Sequence, residues 1–474
     1  MTASQNELLR KIPSVEVLLE AAQARWPSAE VPRRVVVAAV RAAATAARQW
    51  LQSAAPPADA EALRELILTD AGGRIKTALG PHYRKAINAT GIILHTGLGR
   101  AVLPPQALGQ IVQELSGFSV LQIDVAGGQR SKRDERIEDL LGLLTGAEAA
   151  TVVNNNAAAT AVALNTVAAG KEVIVSRGQL VEIGGSFRVP EVMAAAGAKL
   201  VEVGTTNKTH LRDYERAIGD RSAAIMRVHP SNYKIVGFTA EVPLDELVRL
   251  GRAHGLAVID DVGAGPLIDF SQFGFQKEPT LAESVAAGAD LITASGDKMI
   301  GGPQAGILLG KERWIQAVRK NPLTRIVRPD KLTLTALEAT LVLFLDQEQA
   351  LGEVPTLRML RRDQADILAQ AQRIAAAIRA AVPGATATVI EGFSQMGSGS
   401  LPGQDLPTHL VAVQAEGREE GQIAHRLRLY DPPVFARVGQ GRVLVDPRTL
   451  LDGEEAVLVA AFGSALGPQH KPEA

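Results

Sequence analysis

At 474 residues the chain is long enough for two or three domains, each with a core of its own. Its 50 Lys and Arg balance 51 Asp and Glu, which excludes a protein that coats nucleic acid by bulk charge and leaves local basic patches open. The absence of cysteine excludes a disulfide framework, a thiolate metal site and a cysteine nucleophile, and the eight histidines are too scattered to suggest a metal. No apolar run approaches the roughly 20 residues of a membrane span. The first twenty residues are amphipathic, with acids mixed in and no apolar signal core, so a cytoplasmic protein without membrane contact is expected.

Residues 1–82 read as an alanine-rich helical domain. Leu8, Leu9, Ile12, Val15, Val17, Leu18 and Leu19 give one apolar face, and Val35, Val36, Val37, Val40 and Ala44 another. Ala54-Ala55-Pro56-Pro57 interrupts the pattern, which resumes over 60–68. Such a module serves either packing and oligomerisation or the docking of a partner.

The texture changes at Tyr83, and residues 83–345 read as the large domain. Strands are expected at 149–153, 172–175, 200–203, 223–228, 257–259, 291–294 and 307–309. Helices are expected at 137–144, 157–169, 192–196 and 244–254. This alternation predicts an α/β fold with a mainly parallel sheet covered on both faces, in which ligands collect at the carboxyl ends of the strands. Residues 346–474 read as a smaller C-terminal α+β domain. One long helix is expected at 357–381, strands at 386–390, 410–413 and 442–445, and a frayed end at GPQHKPEA.

Three strand ends carry polar residues that a buried sheet does not place there for packing. The run over 149–153 delivers Asn154-Asn155-Asn156-Ala157-Ala158-Ala159 at a helix start, where free N–H groups and small side chains suit a phosphate; plain N-capping by asparagine is the alternative. The run over 256–259 delivers Asp260-Asp261, and a carboxylate there is costly unless a cation or strong donor, such as a protonated pyridine nitrogen, meets it. The run over 291–294 delivers Ser295-Gly296-Asp297-Lys298. A lysine desolvated between two buried strands yields the free amine that a Schiff base needs, whereas an ordinary turn lysine is the plainer reading of those residues alone. Helix-start loop, then aspartate, then lysine is more specific than any one of them.

That order resembles the fold-type I pyridoxal phosphate superfamily. The segments NATGIILHTGLGRA, VNNNAAA, IGGSFRVPEVM, VGTTNKT, SGDKMIGGPQAG and LTALEATL resemble bacterial selenocysteine synthases, the L-seryl-tRNA(Sec) selenium transferases, along nearly the whole chain. One departure is Val262-Gly263-Ala264-Gly265, where the family usually reads Leu-Gly-Ser-Gly, at the loss of one hydroxyl. The resemblance implies that Lys298 binds pyridoxal 5'-phosphate covalently and that Asn156, Ala157 and Ser295 hold its phosphate. It also implies that Asp261, preferred to Asp260 because the small Gly263 follows two positions on, meets the pyridine nitrogen, and that Asn232 donates to the phenolic oxygen. Arg100, Arg325 and Arg328 would clamp the selenium donor, selenophosphate, and Asp297 would tune Lys298, assist departure of the seryl hydroxyl or serve a structural role.

The residues support the clamp independently: Arg313, Arg319, Lys320, Arg325, Arg328 and Lys331 crowd together with Asp330 the only acid among them. Arg313 and Arg319 also fit a solvated helix face; the planar fork of Arg325 and Arg328 suits a phosphate-like oxyanion. The implied reaction is β-elimination on seryl-tRNA(Sec) to aminoacrylyl-tRNA, then addition of selenium to give selenocysteinyl-tRNA(Sec). The implied partners are tRNA(Sec) charged with serine, gripped by the N-terminal domain with Arg33 and Arg34, and further copies of the chain in a large ring, with a decamer as the candidate size. Two rivals are weighed: a pyridoxal phosphate lyase or aminotransferase acting on a free amino acid, and a non-catalytic RNA-binding scaffold on a decayed enzyme fold.

Overall fold

The structure is a computed structural model that describes residues 12–51, 60–185 and 187–467. Leu8, Leu9, Ala54-Ala55-Pro56-Pro57, Ser186 of the IGGSFRVPEVM segment and the terminal residues 468–474 lie outside them. Contacts divide the chain into two units: Met1–Ala86 with Asp431–Pro433 and Leu466–Ala474, and Ile87–Tyr430 with Val434–Ala465.

The first unit contains helices Val15–Arg25, Arg33–Trp50 and Ala60–Leu79. In the second helix Val36, Ala39, Val40, Ala43, Ala44 and Ala47 recur at three- and four-residue steps and are all buried, packing with Leu18, Leu63, Ile67 and Ile75. Val35 and Val37 lie at the margins of this face. Arg33 and Arg34 are exposed in the first turn, where cations oppose the helix dipole.

The second unit holds two main sheets. Strand β1 (Ile87–Ala89) comes first in the chain, and then β2 (Ala149–Val153), β3 (Glu172–Ser176), a short hairpin of β4 (Glu182–Ile183) and β5 (Phe187–Arg188), and β6 (Lys199–Val203). They are followed by β7 (Ser222–Val228), β8 (Ala257–Gly263), β9 (Leu291–Ser295) and β10 (Gly306–Gly310). The large sheet runs β2-β10-β9-β8-β7-β3-β6; β10 is antiparallel to both its neighbours and the other pairings are parallel. This is the mainly parallel α/β sheet that the alternating segments predict.

Successive residues of a strand point to opposite faces. On β8, Val258 joins one hydrophobic cluster and Ile259 the other, so Asp260 and Asp261 are delivered to opposite faces as well. Helix Asn156–Ala168 covers the Asp261 face through Ala159, Val162 and Ala163. Gly306 lets β10 pass beside the loop after β2, because a Cβ there would stand 2.0 Å from the Asn155 carbonyl oxygen.

The smaller sheet adds β11 (Ala385–Gln395), β12 (Asp405–Ala415), β13 (Val434–Gly439) and β14 (Arg442–Val445) in the order β1-β13-β14-β12-β11. Two expectations need correction. The single helix over 357–381 is two helices, Pro355–Arg361 and Gln364–Ala381. The break is fixed by Asp363, whose carboxylate caps the second helix at Ala365 N, and by Arg362, which donates to Pro447 O at 2.6 Å. The helix expected at 192–196 spans Val189–Ala195, because Pro190 sits in its first turn, where a missing N–H costs nothing.

Candidate active site

The carboxyl ends of β2 and β9 open onto a cavity of about 500 Å³ lined by Arg100, Asn155, Asn156, Ala157, Asn232, Ser295, Asp297 and Lys298 among others. Eight of the ten residues singled out from the sequence therefore either line this cavity or, for Asp261, touch a residue that does. Arg325 and Arg328 do not.

Lys298 follows β9 in the turn before β10 and is 7% exposed. Burial lowers the pKa of its amine, and the Arg100 guanidinium lowers it further; Asp261 and Asp297 pull the other way without prevailing. Asp261 is buried behind the cavity. Its Oδ1 accepts from Asn156 Nδ2 at 2.9 Å and from Gly263 N at 3.2 Å, and its Oδ2 accepts from Thr160 Oγ1 at 3.2 Å. All these donors are neutral, and burial raises the carboxyl pKa above its usual value. Asp260 differs. Arg227 grips it with two parallel bonds, Nε to Oδ1 at 2.6 Å and Nη2 to Oδ2 at 2.8 Å, so its charge is already neutralised on the opposite face of the sheet. Of the adjacent carboxylates, Asp261 is the one still lacking a cation.

At the start of helix Asn156–Ala168, Asn155 is the N-cap, its side chain accepting from Ala158 N at 2.8 Å. The N–H groups of Asn156 and Ala157 have no acceptor among the described residues, and both residues line the cavity. Asn156 Oδ1 is buried with no partner. Ser295 ends β9 on the same wall. Unclaimed donors at a helix start, a buried carboxylate without a cation and a desolvated amine fit the phosphate, ring nitrogen and aldehyde of pyridoxal phosphate respectively. Asn232 sits on the rim; its Nδ2 donates one hydrogen to Glu182 O at 2.8 Å and has a second to give.

Arg100 and Asp297 are joined directly, Nη1 to Oδ2 at 2.7 Å. Arg100 holds a left-handed backbone, φ 62°, which a non-glycine residue rarely adopts and which clusters at functional positions.

The basic run after β10 divides. Arg319 is no solvated helix residue: it is largely buried and pairs with Glu138 at 2.9 Å and Asp134 at 3.4 Å while donating to Ala150 O at 2.7 Å. Those acids precede it by more than 180 residues, so nothing local to Arg319 signals them. Arg313 binds Asp290 at 2.8 Å. Arg325 and Arg328 are exposed; burial, and after it the fields of Arg328 and Arg325, lower the pKa of Arg133, itself bonded to Pro329 O at 3.1 Å. Their segment meets the loop after β2 through its backbone, Asn154 N donating to Val327 O at 2.9 Å, and Leu323 and Val327 pack on the core behind it.

Sequence reasoning missed Thr160, Thr96, Gln304 and Ser398. Thr160 was within reach, since it follows Asn156 by four residues on one helix face. Ser398 was not: it meets Thr96 Oγ1 at 2.9 Å across 302 residues of chain.

Comparison with known proteins agrees with this geometry. The family model for L-seryl-tRNA selenium transferase matches residues 86–451, and that for the selenocysteine synthase N terminal region matches residues 9–48. The chain is 46% identical over 465 residues to the L-seryl-tRNA(Sec) selenium transferase of Solidesulfovibrio magneticus, covering 98% of this chain and 99% of that one. It is 45% identical over 467 residues to that of Nitratidesulfovibrio vulgaris, covering 98% and 100%. Among solved structures, D-glucosaminate-6-phosphate ammonia-lyase superposes with a TM-score of 0.57 at 24% identity, over 83% of this chain and 98% of that one, a likeness of fold. Matched in sequence along nearly its whole length, and with a cavity suited to pyridoxal phosphate, the chain belongs to the L-seryl-tRNA(Sec) selenium transferase family of fold-type I pyridoxal phosphate enzymes.

Proposed function

We propose that the cavity converts seryl-tRNA(Sec) to selenocysteinyl-tRNA(Sec), with selenophosphate as the selenium donor. The observation that carries this reading is the buried Lys298 amine near an Asp261 carboxylate that has no cation of its own. Pyridoxal phosphate, when bound, supplies the electron sink that acidifies the seryl α-hydrogen and lets the β-hydroxyl leave.

The chain's own groups do the rest. Lys298 Nζ would hold the cofactor, and its amine is the base placed to take the α-proton; its lowered pKa keeps a larger neutral fraction available than an ordinary lysine has. Asp261 would accept the ring N–H and so gain the cation it lacks. The N–H groups of Asn156 and Ala157 and the Ser295 hydroxyl hold the phosphate, and Asn232 gives its second amide hydrogen to the phenolic oxygen. Asp297 holds Arg100 at 2.7 Å, so Arg100 presents its remaining N–H groups to the anionic donor and Asp297 stands ready to assist the departing hydroxyl.

Arg325 and Arg328 do not line this cavity, so we assign them to the clamp of a neighbouring copy in a homo-oligomer, each ring member lending its exposed pair. The first helical unit, with Arg33 and Arg34 exposed, docks the tRNA body, and phosphate contacts of this kind weaken as salt rises. Among the described residues no helix is long and apolar enough to cross a membrane, and we place the enzyme in the cytoplasm, where charged tRNA is found.

The test is incubation of the cofactor-loaded protein with seryl-tRNA(Sec) and selenophosphate, followed by mass analysis of the aminoacyl group. Selenocysteine on the tRNA is expected. Turnover of free L-serine with seryl-tRNA left intact would instead favour a lyase or aminotransferase.

A further inference from the structure

A second cavity, about 270 Å³ in volume, lies beside the first and takes no part in the chemistry above. The same two segments of chain contribute to both. The chain after β3 lines the second cavity with Gly178 and Gln179 and the first with Ile183 and Gly184; the loop after β7 lines the first with Asn232 and the second with Ile235 and Thr239. The Tyr233 hydroxyl donates to the Gly178 carbonyl and joins the two loops between the cavities.

The walls of this cavity are polar. Thr205, Thr206, Asn207 and Lys208, from the VGTTNKT segment that follows β6, provide hydroxyls, an amide and an ammonium, and Glu241 is the one acid. At its rim Asn207 Nδ2 donates to Phe238 O at 2.7 Å, which fixes the backbone of an aromatic residue that is 88% exposed. Lys208 Nζ stands 5.8 Å from the centroid of that ring. An aromatic face left in water beside a cation and a hydroxyl-lined pocket suits a stacked nucleobase with its ribose and phosphate. Glu241 is an acceptor for an exocyclic amine.

We propose that this pocket and the Phe238 ring seat the unpaired 3′ end of the aminoacyl-tRNA, which rests on the functional reading above. The seryl group is esterified to the terminal ribose, so the last nucleotides must lie immediately outside the cavity that holds Lys298, and this pocket adjoins it. The occupant is single-stranded RNA, read by stacking and by ribose contacts rather than by a base sequence. Phe238 is then a specificity element for a substrate carrying a nucleotide, and free serine gains nothing from it.

The experiment compares binding of uncharged tRNA(Sec), intact or trimmed of its unpaired 3′ nucleotides, to cofactor-loaded wild type, Phe238→Ala and Phe238→Trp at fixed salt. Stacking on one aromatic ring is worth a change of about tenfold, so trimming should weaken wild-type binding by that factor. Trimming should cost Phe238→Ala clearly less than wild type, because only the ribose and phosphate contacts of the pocket remain to be lost, and Phe238→Trp should behave as wild type. Equal losses on trimming in wild type and Phe238→Ala would overturn the proposal, as would a smaller assembly of Phe238→Ala on gel filtration with its trimming effect intact, which would make Phe238 a subunit contact. Turnover tested in parallel keeps the two readings apart: failure of wild type to turn over seryl-tRNA sinks the reaction, whereas turnover without any trimming effect sinks this pocket alone.

Discussion

Two buried charged clusters in the second unit invite comparison. Behind the smaller sheet, Asp446 is fully buried and every lone pair has a use: Ser394 donates at 2.7 Å, Thr408 at 2.9 Å, Arg448 N at 3.0 Å and Arg437 at 3.2 Å. Arg448 in turn donates to Ser394, Met359 O and Pro407 O. Behind the larger sheet, Asp261 has neutral donors only, Asn156 Oδ1 has no partner, and Lys298 is held against the preference of its charge. Apart from Arg437 Nε, which is buried without a partner, the first network is closed and its charges are matched, and it holds structure together; an open one is stable only at a cost in folding energy and implies a missing ligand.

The largest effect expected from breaking that contrast is at Lys298. Lys298→Ala should lower selenium transfer by at least about 10³-fold and abolish the visible absorbance of the covalently bound cofactor, read by spectroscopy and single-turnover assay. Undiminished absorbance would remove Lys298 from the site. Next come the two aspartates. Asp446→Asn leaves Arg437 and Arg448 without their charge and should destabilise the fold by about 3–5 kcal/mol in denaturant titration. Asp261→Asn should lower turnover by about 10²-fold while leaving the stability of the cofactor-free protein unchanged or raised, because it deletes a buried charge that only neutral groups hydrogen-bond. If both variants unfolded alike, the distinction between closed and open networks would be lost.

Arg100→Ala should raise the KM for selenophosphate by about tenfold with little change in the KM for seryl-tRNA, measured by varying each substrate in turn. Equal changes in both would return Arg100 to a purely structural pairing with Asp297.

The smallest effect concerns pH. The folded pKa of Lys298 lies below that of the unfolded chain, so between the two values the unfolded state binds more protons and stability rises with pH. The penalty is complete below the folded pKa and relieved as pH climbs toward 10.5, the ordinary lysine value. Lys298→Met in the cofactor-free protein should therefore raise the thermal midpoint at neutral pH, and its advantage over wild type should shrink as pH rises, as followed by calorimetry across the series.

Much of the site was legible because buried strands are sharp signals and the polar residues after them stand out. Asn156, Asp261, Ser295, Asp297 and Lys298 follow apolar runs at β2, β8 and β9. Which of Asp260 and Asp261 faced the cavity was harder, because a strand buried on both sides shows no alternation of polar and apolar residues; the family's small residue two places on pointed to Asp261, and the answer in space lies in Arg227 on the neighbouring strand. Arg319 was misread for a related reason. Its charge looked solvated within its own helix, and the acids that bury it come from another part of the chain. The break at Arg362 and Asp363 was hidden by helix formers on both sides, and only the Asp363 cap marks it.

The most direct test of the open network is to reduce the cofactor-loaded protein with borohydride and map the modified peptide by mass spectrometry. The account predicts a single pyridoxyl group, on Lys298. A pyridoxyl group on any other lysine, or none at all, would contradict it.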